Sequence, residues 1–500
     1  MRRGYGILLP VFSLPSAHGI GDFGPEAYRF ADLLAENGAS YWQILPLNPG
    51  SPESGESPYF SKSSLAINPL LLSLERLRDE GLLSDGEIAA MPECARQAID
   101  YDLLRKVKMQ LLEKAAGRFP GDAELDGFID SNESWLYDFA LYDVYRNIQV
   151  GLWPEWPDAF RDRNAKALGE FSRERRREIR ISQTLQYFAF RQWQDLRRYC
   201  SERRLDIVGD MPIYVSLDSS DAWANPGLFK LDSERRPTAV SGVPPDYFSA
   251  TGQLWNNPVY DWEAHRRSGF SWWINRMRRL LSIYDILRID HFRGLVQYWE
   301  IPFGETTAIK GKWVDVPTYE FFDALLEEIT PFPVIAEDLG IITDDVRAAM
   351  DRYGFPGMKV LEFAFGEDNP NHPYLPENFT ENCVVYTGTH DNMPFAGWLR
   401  KGASGQERER INRYLGRKLD EKETVWALID RAMGSVANAA IFPLQDILAL
   451  DESSRINEPS LAHGNWRWRW DKTAAPAEAA MKRMLELGKK YRRFSSLEIR

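Results

Sequence analysis

Leu287-Arg288-Ile289-Asp290-His291 places a charge at every second position of an otherwise apolar run. Successive side chains of a strand point to opposite faces, so Arg288 and Asp290 share one face while Leu287 and Ile289 share the other. Seven more apolar runs of strand character occur, at 5–14, 41–49, 206–215, 333–340, 358–365, 383–391 and 440–450. Each ends in polar or Gly/Pro-rich sequence. Helical patterns lie between most of them, at 25–37, 318–329, 343–353 and 422–434. Eight near-continuous apolar strands alternating with helices predict an α/β protein built as a (β/α)8 TIM barrel, rather than a doubly wound sheet. The quoted run is then the end of the fourth strand, with Arg288 and Asp290 pointing into the barrel.

Two spacings exceed a simple crossover: about 155 residues between the second and third strands, and about 70 between the third and fourth. The reading is one catalytic barrel over 1–500 with two insertions and no separate C-terminal β-domain. The first, 50–205, is a helical subdomain with long helices at 88–117 and 182–204. The second, 216–284, is rich in Gly, Pro and Trp and reads as loops over the active-site cleft. An amphipathic helix at 474–494 closes the barrel.

Composition narrows the function classes. Lys and Arg number 61 against 73 Asp and Glu, a net charge of −12. There is no long basic run, which argues against nucleic acid or an anionic membrane as partner. The Arg-rich run at 173–177 reads as a solvated helix face. Three widely spaced cysteines fit a reducing compartment and exclude both a disulfide framework and a cysteine zinc site. No signal peptide and no apolar stretch of spanning length is found, so a cytoplasmic protein is expected. Aromatics make up 13%, with 17 Trp and 21 Tyr. Many stand beside loop residues, as suits flat ligands such as sugar rings as well as an ordinary core.

Functional groups of a barrel lie at the carboxyl ends of its strands. There the third strand carries Asp210, the fourth Asp290, the fifth Glu337 and the seventh Asp391. Arg288 beside Asp290 would keep that carboxylate ionised, as a nucleophile requires. Glu337 follows Val334-Ile335-Ala336, an apolar setting that raises a carboxyl toward general-acid duty. Asp391, next to His390, supplies a third anion to stabilise positive charge. This is the equipment of a retaining glycosidic displacement. Divalent-metal binding is the competing reading of such acids. Arg288 would set a cation beside the proposed ligand Asp290, so no metal and no cofactor are expected.

These residues resemble the amylomaltases, or 4-α-glucanotransferases (disproportionating enzymes), of the α-amylase clan. The resemblance spans nearly the whole chain. It is carried by His18-Gly19-Ile20-Gly21-Asp22-Phe23-Gly24, Trp42-Gln43-Ile44-Leu45-Pro46-Leu47, Glu56-Ser57-Pro58-Tyr59 and Gly209-Asp210-Met211-Pro212-Ile213-Tyr214-Val215. It continues in Gly242-Val243-Pro244-Pro245-Asp246-Tyr247-Phe248, Gly252-Gln253-Leu254-Trp255, Arg288-Ile289-Asp290-His291-Phe292-Arg293-Gly294, Ala336-Glu337-Asp338-Leu339-Gly340 and Gly388-Thr389-His390-Asp391-Asn392. It implies Asp290 as nucleophile, Glu337 as acid/base and Asp391 as transition-state stabiliser. By the same resemblance Arg288, His291, His390 and Asp210 surround the sugar at the cleavage point. Tyr59, Gln253 and Trp255 line neighbouring subsites, and the loop through Asp246-Tyr247-Phe248 arches over the cleft. The implied activity is transfer of α-1,4-glucan segments to the 4-hydroxyl of glucose or another glucan. Maltooligosaccharides, starch or glycogen-type glucans are the implied substrates, and an α-glucan hydrolase is the nearest alternative.

Two departures stand out. Arg455-Ile456-Asn457-Glu458-Pro459-Ser460-Leu461 replaces the usual Arg-Met-Asn-x-Pro-Gly-Thr, so a permissive glycine is lost beside the substrate-binding candidate Asn457. Asn256 stands where glycine is expected.

Overall fold

All eight runs form strands of one parallel sheet in a computed structural model that describes residues 1–149, 151–245 and 249–495. The strands are β1 (Gly4–Leu8), β2 (Tyr41–Gln43), β3 (Asp206–Met211), β4 (Ile286–Ile289), β5 (Val334–Ala336), β6 (Gly357–Val360), β7 (Cys383–Tyr386) and β8 (Ala439–Pro443). Their order is β6-β7-β8-β1-β2-β3-β4-β5. The seam between β5 and β6 is bridged by the Ala336 N–H donating to Pro356 O at 2.9 Å, and by the Met358 N–H donating to Asp338 Oδ1 at 2.6 Å. Gly357 permits that approach, since a Cβ there would lie 2.5 Å from the Asp338 carboxylate. The result is the (β/α)8 barrel.

Every strand ends before its predicted run does, where the chain turns into the loops of the rim. Asp290 and Glu337 are the first residues past β4 and β5, and Asp391 lies five residues past β7. The barrel interior is filled by Leu8, Tyr41, Val208, Ile286, Ile335, Met358, Val360, Val384, Tyr386, Ala439 and Ile441. Leu287 and Ile289 belong instead to the larger core shared with the surrounding helices, as the alternation requires. A filled interior leaves only the loop-bearing rim for ligands.

Between β2 and β3, helices Tyr101–Arg118 and Glu133–Ile148 each pack on Arg176–Glu202. The first begins later than its pattern. Asp100 caps it by accepting from the Leu103 N–H at 3.0 Å, and the preceding stretch, which includes Pro92, is irregular. The stretch after β3 is not only loops. Ala239–Val243 and Gln253–Pro258 join Gln297–Pro302 and Lys312–Asp315, which follow β4, in a four-stranded antiparallel sheet. Its apolar contacts are few, centred on Val240, Ile301 and Ala308, so no periodic signal announces it. Among the described residues no strand follows β8 and no helix is long and apolar enough to cross a membrane. The final helix, Glu478–Lys490, buries Met481 and Met484. Arg493 beyond it donates to the carbonyls of Gly4 and Asn438, tying the chain end to β1 and β8.

Candidate active site

Register assembles the charged cluster. Asp210 of β3 pairs with Arg288 of β4, and Arg288 in turn pairs with Ile335 of β5. Two residues beyond those pairs, Asp290 and Glu337 emerge side by side. Arg288 is 4% exposed and forks between two acids. Its Nη1 donates to both oxygens of fully buried Asp210 at 2.8 Å, and its Nη2 lies 2.9 Å from Asp290 Oδ1. The guanidinium thus fills the position where a metal shared by these carboxylates would sit. Among the described residues no cluster of three or more His, Cys, Asp or Glu forms a metal site. Asp210 faces away from the opening, whereas Asp290 keeps 31% of its side chain exposed.

Glu337 is held from both sides by backbone. Its Oε2 accepts the His291 N–H at 2.8 Å and its Oε1 the Leu339 N–H at 2.7 Å. Those bonds and Arg288 favour the anion, but burial and the neighbouring Asp290 outweigh them and push the carboxyl up to about 7. His291 adopts a left-handed backbone, φ 52°, which turns its N–H toward Glu337. Burial pushes its imidazole down to about 4, so it is neutral at pH 7.

Across the cleft, Tyr59 joins the third and seventh strand ends. Its hydroxyl donates to Asp210 Oδ2 at 2.7 Å and lies 2.9 Å from His390 Nε2, while the two rings stack at 5.3 Å. Asp391 Oδ1 is 3.3 Å from His390 Nε2 and accepts from Asn457 Nδ2 at 2.6 Å. Trp255 lies edge-on to His291 at 4.7 Å and donates to Gln253 Oε1 at 3.1 Å. Both residues come from strand Gln253–Pro258 of the small sheet, so that sheet forms a wall of the cleft. All eleven candidate residues therefore meet at one rim. Of the arching loop, Asp246, Tyr247 and Phe248 lie outside the described residues.

The two departures are absorbed locally. Asn256 takes the left-handed conformation, φ 63°, that glycine would favour and that asparagine tolerates best among other residues. In the 455–461 stretch neither Ser460 nor Leu461 has positive φ; Gly464 and Trp466 do. Asn465 holds the loop by accepting the Glu458 N–H and donating to the Glu458 and Leu461 carbonyls. Two contributors were not singled out from the sequence, Arg455 of the 455–461 stretch and Trp466 just beyond it. Arg455 donates to the Asp391 carbonyl at 2.8 Å and to the Asn457 carbonyl at 2.7 Å, and Trp466 packs against Tyr59 and His390. An arginine two residues before Asn457 and a tryptophan two residues after Gly464 were the available signals.

Residues 9–473 match the family model of glycoside hydrolase family 77, 4-alpha-glucanotransferase. The chain belongs to the 4-alpha-glucanotransferase family. It is 44% identical to the Aquifex aeolicus 4-alpha-glucanotransferase over 96% of its own length and 98% of that protein. The corresponding Synechocystis enzyme is 46% identical, over 94% of both chains. Among solved structures, the amylomaltase of Streptococcus agalactiae in complex with acarbose superposes with a TM-score of 0.93 at 36% identity, covering 99% of this chain and all of that one. The Corynebacterium glutamicum amylomaltase shares the fold at a TM-score of 0.78 and 19% identity, over 97% of this chain and 75% of its own. The 4-alpha-glucanotransferase barrel thus agrees with the family its sequence motifs indicated.

Proposed function

We propose that this enzyme moves segments of α-1,4-glucans by a retaining double displacement through a glycosyl-Asp290 intermediate. The observation that carries the reading is the split between two adjacent carboxyls. Glu337 is poised to hold a proton near neutrality, whereas Asp290 stands against the Arg288 guanidinium at the open mouth of the cleft. Asp290 attacks the anomeric carbon while Glu337 gives its proton to the departing glycosidic oxygen. Asp391, oriented by Asn457, faces the positive charge that develops on the sugar. The deprotonated Glu337 then takes the proton of an acceptor 4-hydroxyl, which attacks the glycosyl-enzyme and restores the α-configuration. Neutral His291, together with His390, Tyr59 and Arg288, offers fixed donors and acceptors for the hydroxyls of the cleaved sugar. Trp255 and Gln253 on the neighbouring wall receive the adjoining sugars.

Maltooligosaccharides and starch- or glycogen-type glucans are the substrates in this reading. Purified enzyme with maltotriose tests it. Glucose and longer oligomers should appear while total reducing ends stay constant, because transfer conserves glycosidic bonds. A rise in reducing ends equal to the bonds lost would make water the acceptor and the enzyme a hydrolase.

A further inference from the structure

A second cavity, of about 960 Å³ and lined by none of the candidate site residues, lies between the helical insertion and the helix Ser271–Ile283 that leads into β4. Its wall combines Phe128, Tyr187 and Trp272 with serine and asparagine side chains. It also holds Arg279, which is 8% exposed and whose Cζ lies over the rings of Trp135 and Phe190, 5.1 Å and 4.6 Å from their centroids. Ring contacts satisfy none of its N–H groups, which still need hydrogen-bond acceptors. One long bond is made, from Nε to the Leu65 carbonyl at 3.4 Å, and Nη2 is buried with no partner. Among the described residues no carboxylate lies within ion-pair distance of Arg279.

The neighbouring charges cannot serve. The four carboxylates of the wall are engaged elsewhere: Glu124 with the Tyr187 hydroxyl, Asp138 with Arg163, Asp195 with Arg76 and Asp221 with Ser64. Arg276 is spent on the carbonyls of Pro212 and Ile213, while Arg191, Arg198 and Arg278 pair with acids. Burial pushes the Arg279 guanidinium down to about 9, so it remains a cation at neutral pH. A buried cation without a counter-ion is costly unless something brings one.

We infer that this cavity is a binding site for a small anionic sugar whose oxyanion meets the in-plane edge of Arg279 while its body rests against the aromatic and hydroxyl-bearing wall. Phosphorylated and carboxylated sugars share that chemistry. Calorimetric titration of the full-length enzyme with glucose 6-phosphate and with glucuronate separates them, using saturating glucose in cell and syringe to fill sites for neutral sugar. Saturable binding of one or both is expected. Arg279→Met should abolish that binding and leave the melting temperature equal or higher, because it removes an unpaired buried charge at similar volume. Arg279→Lys keeps the charge but not the fork, and should bind at least about tenfold more weakly. The proposal is overturned if neither compound binds the wild-type enzyme, or if both variants bind as wild type does. It is also overturned if Arg279→Met melts well below wild type while Arg279→Lys binds unchanged, since the guanidinium would then serve only the packing.

Discussion

Glu337 and Glu362 both sit just past barrel strands, β5 and β6, and both carboxyls are pushed far up, to about 7 and about 8, with burial the leading cause. Their surroundings differ. Glu337 stands beside Asp290 at the rim of the barrel, with both oxygens accepting backbone N–H groups. Glu362 accepts from Asn392 Nδ2 at 3.1 Å, with its Oε2 buried and unpartnered. Asn392 in turn accepts the Thr389 N–H at 2.9 Å, so Glu362 braces from behind the loop that carries His390 and Asp391. A raised proton affinity therefore marks burial. It marks acid catalysis only where the group also reaches a second carboxylate and an open cleft.

Substitutions can break or sharpen that contrast. Asp290→Asn should cost the most, at least about a thousandfold in kcat with little change in melting temperature, because in the proposed mechanism its carboxylate forms the glycosyl bond. Glu337→Gln should lower kcat by about 10²–10⁴-fold. The wild-type kcat/KM should fall as pH rises through about 7, since the acid must be protonated in the free enzyme; the variant should lose that alkaline limb. Asn457→Ala removes a bond to a charged oxygen and should cost about tenfold to a hundredfold in kcat/KM. Glu362→Gln should be mildest, within about threefold in kcat, with the alkaline limb unmoved, because an amide oxygen can still accept from Asn392. A Glu362→Gln profile that lost the limb would reverse the assignment of the two glutamates.

The strands and the acid set were legible because a barrel strand writes its burial directly into sequence as an apolar run, and its polar residues then stand out at the end. Arg288 and Asp290 point inward as the alternation required. The small sheet was not legible, since its buried positions include Ser241, Gly242 and Glu300 as well as apolar residues, and its tryptophans read as loop residues. Nor was the wiring of the rim. That Tyr59 would bridge Asp210 and His390, or that Asn457 would orient Asp391, depends on contacts between residues over a hundred positions, or over sixty positions, apart in the chain. Asp338 was quoted in a motif without a role, and its seam-closing bond to the Met358 N–H appears only when the sheet curls shut.

The central claim is that Asp290 becomes glycosylated. Glu337→Gln incubated with α-maltotriosyl fluoride isolates that step, because fluoride departs without acid help while the second step lacks its base. Intact mass followed by peptide mapping should show one maltotriosyl adduct on the peptide containing Asp290. The absence of an adduct during fluoride release, or an adduct on another residue, would contradict it.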